Sequence, residues 1–284
     1  MVSVPLTDGA RMERVSGELV IGAELDGVLR WVEPAHSRSE ILARERELEE
    51  QLSILPPGLQ DGLRRRLPVL AIVSVAEGGF DGIATHRGDP AASLGIFQWA
   101  MARDRTLDEG SSLSRFFREL KQRATQGHES IAREFYLSAW ATCRGVGLDV
   151  KGSVLSLRGK PATGAQLEAA LQHVMGAPPL RAYQLVAAND WVERIGALPI
   201  RVAGGTRSVR ELLADDRALS TAVLLGVNRP AYVVPALERA VSRVGGAPVD
   251  RLLREFRRQA LALYRPAERE RRMMRLLTSE ASAP

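Results

Sequence analysis

Glu77 is the residue whose type and position best suit acid–base chemistry. Residues Leu67 to Met101 read LPVLAIVSVAEGGFDGIATHRGDPAASLGIFQWAM, and their first carboxylate follows Val69, Leu70, Ala71, Ile72, Val73, Ser74, Val75 and Ala76. A carboxylate at the end of so apolar a run is expected to be partly desolvated, which favours its protonated form. That is the state a general acid needs. The same residues also suit a purely structural role, a buried element ending in a solvated glutamate at a Gly78–Gly79 turn. Periodicity leaves helix and strand open here, because continuous apolarity and β-branched residues fit either. Pro68 at a first-turn position and Gly78–Gly79 as a stop select a helix.

The residues after Glu77 carry a likeness. Glu77, Gly78 and Phe80 match a Glu-Gly-x-Phe context, and Ser93, Gly95, Ile96, Phe97 and Gln98 match a Ser-x-Gly-Leu-Met-Gln-like segment. In both respects the stretch resembles the lysozyme-like superfamily, which includes lytic transglycosylases and phage or bacterial muramidases. The likeness spans the residues quoted above and no other part of the chain. It implies a mainly α, lysozyme-like α+β fold with a small β-hairpin lobe and additional helices. The activity implied is cleavage of the β-1,4 glycosidic bonds of peptidoglycan, with Glu77 as general acid and no metal or cofactor.

The same resemblance distributes further roles. Ser93 and Gln98 would position the sugar or support Glu77 by hydrogen bonds, and Phe80 would line the substrate site. A late Asn or Tyr often lines the sugar cleft in such enzymes, which makes Asn228 and Tyr232 candidates, although the full Ala-Tyr-Asn-Ala-Gly transglycosylase signature is missing. A glycoside hydrolase usually needs a second carboxylate about 5 to 9.5 Å from the first. Asp89 is the first choice for it and Asp81 the second. A lytic transglycosylase instead uses one Glu as acid and then base, with the substrate's own hydroxyl closing a 1,6-anhydro ring.

Composition frames these residues without choosing among them. The chain has 284 residues, 45% hydrophobic and 26% charged, with a net charge of +5. It is long enough for one large domain or two small ones. Basic charge favours an anionic partner, whether nucleic acid, acidic membrane or cell wall. The single cysteine, Cys143, excludes an intramolecular disulfide and reads as a small buried apolar residue. The N-terminal residues lack the basic start and apolar core of a secretory signal, and no run is long enough to span a bilayer. The expectation is therefore synthesis in the cytoplasm and action at the wall after delivery by phage lysis, a contractile injection machine or a specialised secretion system. Structural proteins of such an assembly join peptidoglycan glycan strands as expected partners.

Several elements must position Glu77. Glu18 to Ala23 and Val28 to Glu33 read as a hairpin around Asp26–Gly27, forming an N-terminal segment over 1–35. Ser37 and Glu40 form a capping box before a helix with Ile41, Leu48, Leu52 and Leu55 on one stripe. Helices are expected with Leu113, Phe116, Phe117 and Leu120, and with Ile131, Phe135 and Trp140, on their apolar faces. Their aromatics read as core rather than as sugar platforms. Residues 152–164 break the pattern with a strand and a basic tip, Arg158-Gly159-Lys160-Pro161. Helices then follow over Gln166 to Met175, Arg181 to Ile195 and Ala218 to Leu225, the last ending at Gly226. Arg251 to Leu277 reads as basic amphipathic helix interrupted at Pro266, so that one helical domain covers 36–277 and 278–284 is a disordered tail.

Other chemistries find no footing. His36, His86, His128 and His173 are scattered, away from any zinc-ligand spacing. No phosphate-binding loop, dinucleotide fingerprint or nucleophile elbow is present, and no nucleic-acid module. Chitosan is disfavoured as substrate because a basic protein repels a cationic polymer. The rival from another class is a catalytically inactive glycan-binding or structural component of a phage or injection assembly that keeps the fold without turnover.

Overall fold

Leu48, Leu52 and Leu55 are all buried, so the stripe spaced by three and four residues faces inward, as the sequence requires. They belong to helix α1 (Arg38–Leu52) and the turn after it. The computed structural model describes residues 4–5, 11–15, 18–21, 38–85, 92–100, 112–126, 131–151, 154–161 and 164–263. These are mainly helical, with short antiparallel β-hairpins. Contacts divide the chain into two compact units, 36–193 and a second comprising 1–35 with 194–284. No described helix is long and apolar enough to cross a membrane.

In the 36–193 unit, α2 (Pro57–Arg64) leads into α3 (Leu67–Glu77), which packs against α1. The α3 segment is a helix, and both sequence signals act as expected: Pro68 lies in the first turn, and Gly78 ends the helix at φ +148°. Leu67, Val69, Leu70, Ala71, Val73 and Ser74 are buried, so nearly the whole circumference is covered. Strands β4 (Ile83–Thr85), β5 (Ala92–Leu94) and β6 (Trp99–Ala100) form an antiparallel sheet in that order. Helices α4 (Ser112–Gln126) and α5 (Ile131–Gly145) pack on each other. Their Leu113, Phe116, Phe117, Leu120, Phe135 and Trp140 are all buried, which makes them core residues.

A second meander follows, β7 (Leu148–Lys151), β8 (Val154–Leu157) and β9 (Lys160–Pro161). Arg158 and Gly159, both at positive φ, make the tight turn between the paired Leu157 and Lys160. Helices α6 (Gly164–Gly176) and α7 (Pro178–Gly196) come next. The helix expected from Arg181 begins earlier, with Pro178 and Pro179 in its first turn, because proline is tolerated where the first backbone donors have no helical partner. Cys143 is buried, and burial pushes its thiol up to about 12.

The other unit holds a hairpin, β10 (Pro199–Val202) with β11 (Gly205–Ser208), followed by the single turn α8 (Val209–Leu212). A complete Ser208–Glu211 capping box starts that turn. Helix α9 (Asp216–Asn228) is capped by the Asp215 side chain and runs through buried Gly226. The expected stop at Gly226 therefore moves to Arg229, whose backbone is pushed out of the helical region by the following Pro230. Helix α10 (Pro230–Val244) and a helix over 249–263 complete the described part. The expected continuation past Pro266 and the tail over 278–284 lie outside the described residues.

In the N-terminal segment, β1 (Val4–Pro5), β2 (Arg11–Val15) and β3 (Glu18–Ile21) form an antiparallel meander. The Glu-Leu-Val-Ile strand is present, but its partner is upstream: Val15 pairs with Glu18 and Met12 with Ile21. Only Ser16 and Gly17 separate the two strands, a shorter connection than the one through Asp26–Gly27 and therefore easier to close. Residues 28–33 lie outside the described residues.

Candidate active site

The backbone around Glu77 is set by its neighbours. The Gly78 N–H donates to the Ser74 carbonyl at 2.9 Å and closes the last turn, after which the chain leaves the helix. Glu77 is half-buried at this end. Gly78 is required twice over. Its φ of +148° disfavours any side chain, and a Cβ there would come within 2.9 Å of the Gln98 Nε2 atom. The side-chain amide of Gln98 thus rests against the residue that follows Glu77.

Gln98 is held by its own hairpin. Leu94 pairs with Trp99, leaving Gly95, Ile96, Phe97 and Gln98 as the loop between β5 and β6. The loop is closed by the Gln98 N–H donating to the Gly95 carbonyl at 3.0 Å, and Gln98 itself sits at φ +47°. The Ser93 hydroxyl donates a short hydrogen bond to the Gln98 Oε1 atom, and Gln98 Nε2 donates to the Gly95 carbonyl at 3.3 Å. Ser93 is buried, so its hydroxyl fixes the amide orientation from inside the fold. The Gly95 N–H donates to the Gly82 carbonyl at 3.1 Å, which ties the loop back to the segment that leaves Glu77.

A third residue joins these pieces. Gln184, fully buried on α7, donates from Nε2 to the carbonyls of Phe80 and Met175, each at 2.9 Å. Its Oε1 accepts from the Ile96 N–H at 3.1 Å. One side chain therefore satisfies three buried backbone groups, from the turn after Glu77, the β5–β6 loop and the end of α6. Gly95 accommodates it, since a Cβ there would lie 2.5 Å from Gln184 Oε1 and 2.8 Å from the Trp99 ring. Gln184 is absent from the sequence-derived site. Its signal was a lone amide in the apolar run Ala182-Tyr183-Gln184-Leu185-Val186, where a polar residue needs internal partners.

The remaining candidates separate. Phe80 is 1% exposed and its face is approached by the Arg181 guanidinium at 5.7 Å, so the ring is a core residue rather than a surface for sugar. Closure of the Gly79–Gly82 turn over Gln184 is what turns it inward. Asp81 is exposed and pairs with Arg181 at 3.7 Å. Asp89 lies outside the described residues. Asn228 is the last residue of α9 and Tyr232, half-buried, lies in the first turn of α10, so both belong to the 194–284 unit. Of the sequence-derived set, Ser93 and Gln98 are bonded to each other, and the Gln98 amide lies against Gly78, the residue that follows Glu77 in the chain.

A second polar cluster sits in the same unit. Arg123 donates to Asp190 and, at 3.1 Å, to the Tyr136 hydroxyl, with its guanidinium 5.5 Å from the Tyr136 ring. Burial raises Tyr183 well above the ordinary tyrosine value, and its hydroxyl donates to the Phe116 carbonyl at 3.4 Å. Trp99, Phe116, Tyr183 and Tyr136 pack in sequence, with ring centroids 4.7, 4.9 and 6.1 Å apart. This aromatic column braces the hairpin from behind. Comparison with family models, curated proteins and solved structures finds no match to the chain.

Proposed function

We propose that the chain cleaves the β-1,4 glycosidic bonds of peptidoglycan through a lysozyme-like site in which Glu77 is the general acid. One observation carries the reading: the Gln98 amide, oriented by Ser93, lies against Gly78 at the end of the buried helix that presents Glu77. Cleavage of a glycosidic bond needs a proton donor held on a rigid element, and a fixed amide next to that donor in the chain supports the reading.

In the transglycosylase route the chemistry runs on one carboxyl group. Glu77 gives its proton to the glycosidic oxygen as the bond from that oxygen to the anomeric carbon breaks, leaving an oxocarbenium-like centre. The sugar's own 6-hydroxyl then attacks that carbon, and the Glu77 carboxylate takes the hydroxyl proton, closing a 1,6-anhydro ring without consuming water. Asp81 is engaged by Arg181 and faces solvent, which disfavours it as the second carboxylate; Asp89, the first choice for a hydrolase, lies outside the described residues, and the products distinguish the two routes.

The test is turbidity loss and product mass on purified peptidoglycan, for wild type and Glu77→Gln. Glu77→Gln keeps the shape and removes the proton donor, so a rate loss of at least about 100-fold is expected, with 1,6-anhydro products from the wild type. Reducing-end products without the anhydro ring would replace the route by hydrolysis. Absence of turnover by the wild type on several wall types would overturn the enzymatic reading in favour of an inactive glycan-binding component.

A further inference from the structure

The 194–284 unit carries a groove built mainly from arginine. Helix α10 and the helix over 249–263 bound a cavity of about 620 Å³ lined by Arg243, Val244, Arg251, Arg254, Glu255 and Arg258. A neighbouring depression of about 550 Å³ shares Arg243 and includes Arg239, so the two form one elongated track. Arg251, Arg254 and Arg258 follow at steps of three and four on one helical face. That spacing sets them about 4.5 and 6 Å apart along the axis. A ladder of this kind suits charges repeated along a chain better than one isolated anion.

Among the described residues the track's two carboxylates are already engaged, Glu238 by Arg201 at 2.9 and 3.1 Å and Glu255 within the larger cavity. Glu255 accepts from Arg258 Nε and Nη2 at 2.8 and 2.6 Å and from Gln259 at 2.7 Å, with Arg243 at 3.7 Å. Hydrogen bonds from Arg258, above all, hold its carboxyl below the ordinary range, so it stays a fixed brace between the helices. Arg251 and Arg254 are exposed and have no ion pair among the described residues. Exposed guanidiniums beside such a paired core suit binding of phosphate groups.

The lining also excludes alternatives. Among the described residues it contains no aromatic ring on which a base could stack, which disfavours single-stranded nucleic acid. Its apolar members are Val244 and Pro235, too little to enter a lipid surface.

We propose that this arginine track binds a linear, base-free phosphodiester polymer of the polyol-phosphate kind that accompanies peptidoglycan in cell walls. The choice of source rests on the wall-directed reading of Glu77. The phosphate chemistry stands on the groove itself.

The experiment measures binding of the full chain to lipid-free poly(glycerol phosphate), beside single-stranded DNA of equal phosphate number and phosphatidylglycerol vesicles. Wild type is compared with Arg251→Glu/Arg254→Glu and with the milder Arg251→Gln/Arg254→Gln, each checked for folding by its thermal melt. The polyol-phosphate is expected to bind at least as tightly as the DNA, to weaken as salt rises, and to bind about tenfold or more weakly to the charge-reversed variant. Unchanged binding by both variants, or no binding at low salt, overturns the proposal. Tighter binding of DNA reassigns the track to nucleic acid, and binding to vesicles alone reassigns it to lipid. Cleavage of polymer-free peptidoglycan is expected to be equal in wild type and variants. If the wild type cleaves nothing, the Glu77 reading fails while the polymer measurement still stands.

Discussion

The surroundings of Glu77 and the arginine track use polar residues in opposite ways. Around Glu77 the polar groups are few, buried and bonded to backbone: Gln184 satisfies three main-chain groups, and Ser93 fixes Gln98. In the track they are many, charged and largely exposed, and among the described residues Glu255 and Glu238 are the carboxylates locked to partners. Buried amides cannot be replaced without stranding a partner, whereas exposed guanidiniums can change with little effect on the fold. The first region is built for geometry and the second for long-range charge. Substitutions should therefore separate them: the first should lose activity or stability, the second affinity.

The sharpest break is Glu77→Gln, expected to abolish most activity while leaving the melting transition near wild type, since the side chain is half-buried and the change is isosteric. Gln184→Leu should instead act on the fold. It strands the Phe80 and Met175 carbonyls and the Ile96 N–H, and a loss of about 3–5 kcal/mol is expected in chemical denaturation. Gly95→Ala comes next, at about 2–4 kcal/mol, because its φ of +77° disfavours a side chain and its Cβ meets Gln184 and Trp99. Since Gly95 and Gln184 touch, their double variant should lose less than the sum of the singles. Strict additivity would show that the amide does not lock the loop.

What the sequence disclosed follows from how local each interaction is. Pro68 and Gly78 bracket α3 through their own backbone preferences, so its limits were legible. Ser93 and Gln98, five residues apart, were both picked out through the likeness to lysozyme-like proteins as supports for sugar or Glu77, and their hydrogen bond to each other is the addition the structure makes. Gln184 reaches Ile96 across 88 residues and Phe80 across 104, and no local pattern encodes such a contact. Phe80 misled for a related reason. The likeness placed its ring in the substrate site, yet the turn folds under α7 and buries it. The division after Glu193 was hidden as well, because it falls inside α7, where helical periodicity continues without a break.

The smallest expected effect concerns an exposed pair in the second unit. Arg201 donates from Nε and Nη2 to Glu238 at 2.9 and 3.1 Å, while its own side chain is 85% exposed. Hydrogen bonding from Arg201 holds the Glu238 carboxyl below its ordinary value of 4.5. A depressed carboxyl contributes stability above the unfolded value, and that share is lost as pH falls through the folded value. Arg201→Ala should therefore leave the melting midpoint at neutral pH almost unchanged, because solvent and salt screen so exposed a pair. That small difference should close as pH falls from 5 to 3, so that the variant's midpoint falls slightly less steeply and the two meet at low pH. A large loss at neutral pH would mean that the pair holds the β10–β11 hairpin to α10, and that charge in this unit serves the fold as strictly as the buried amides serve Glu77.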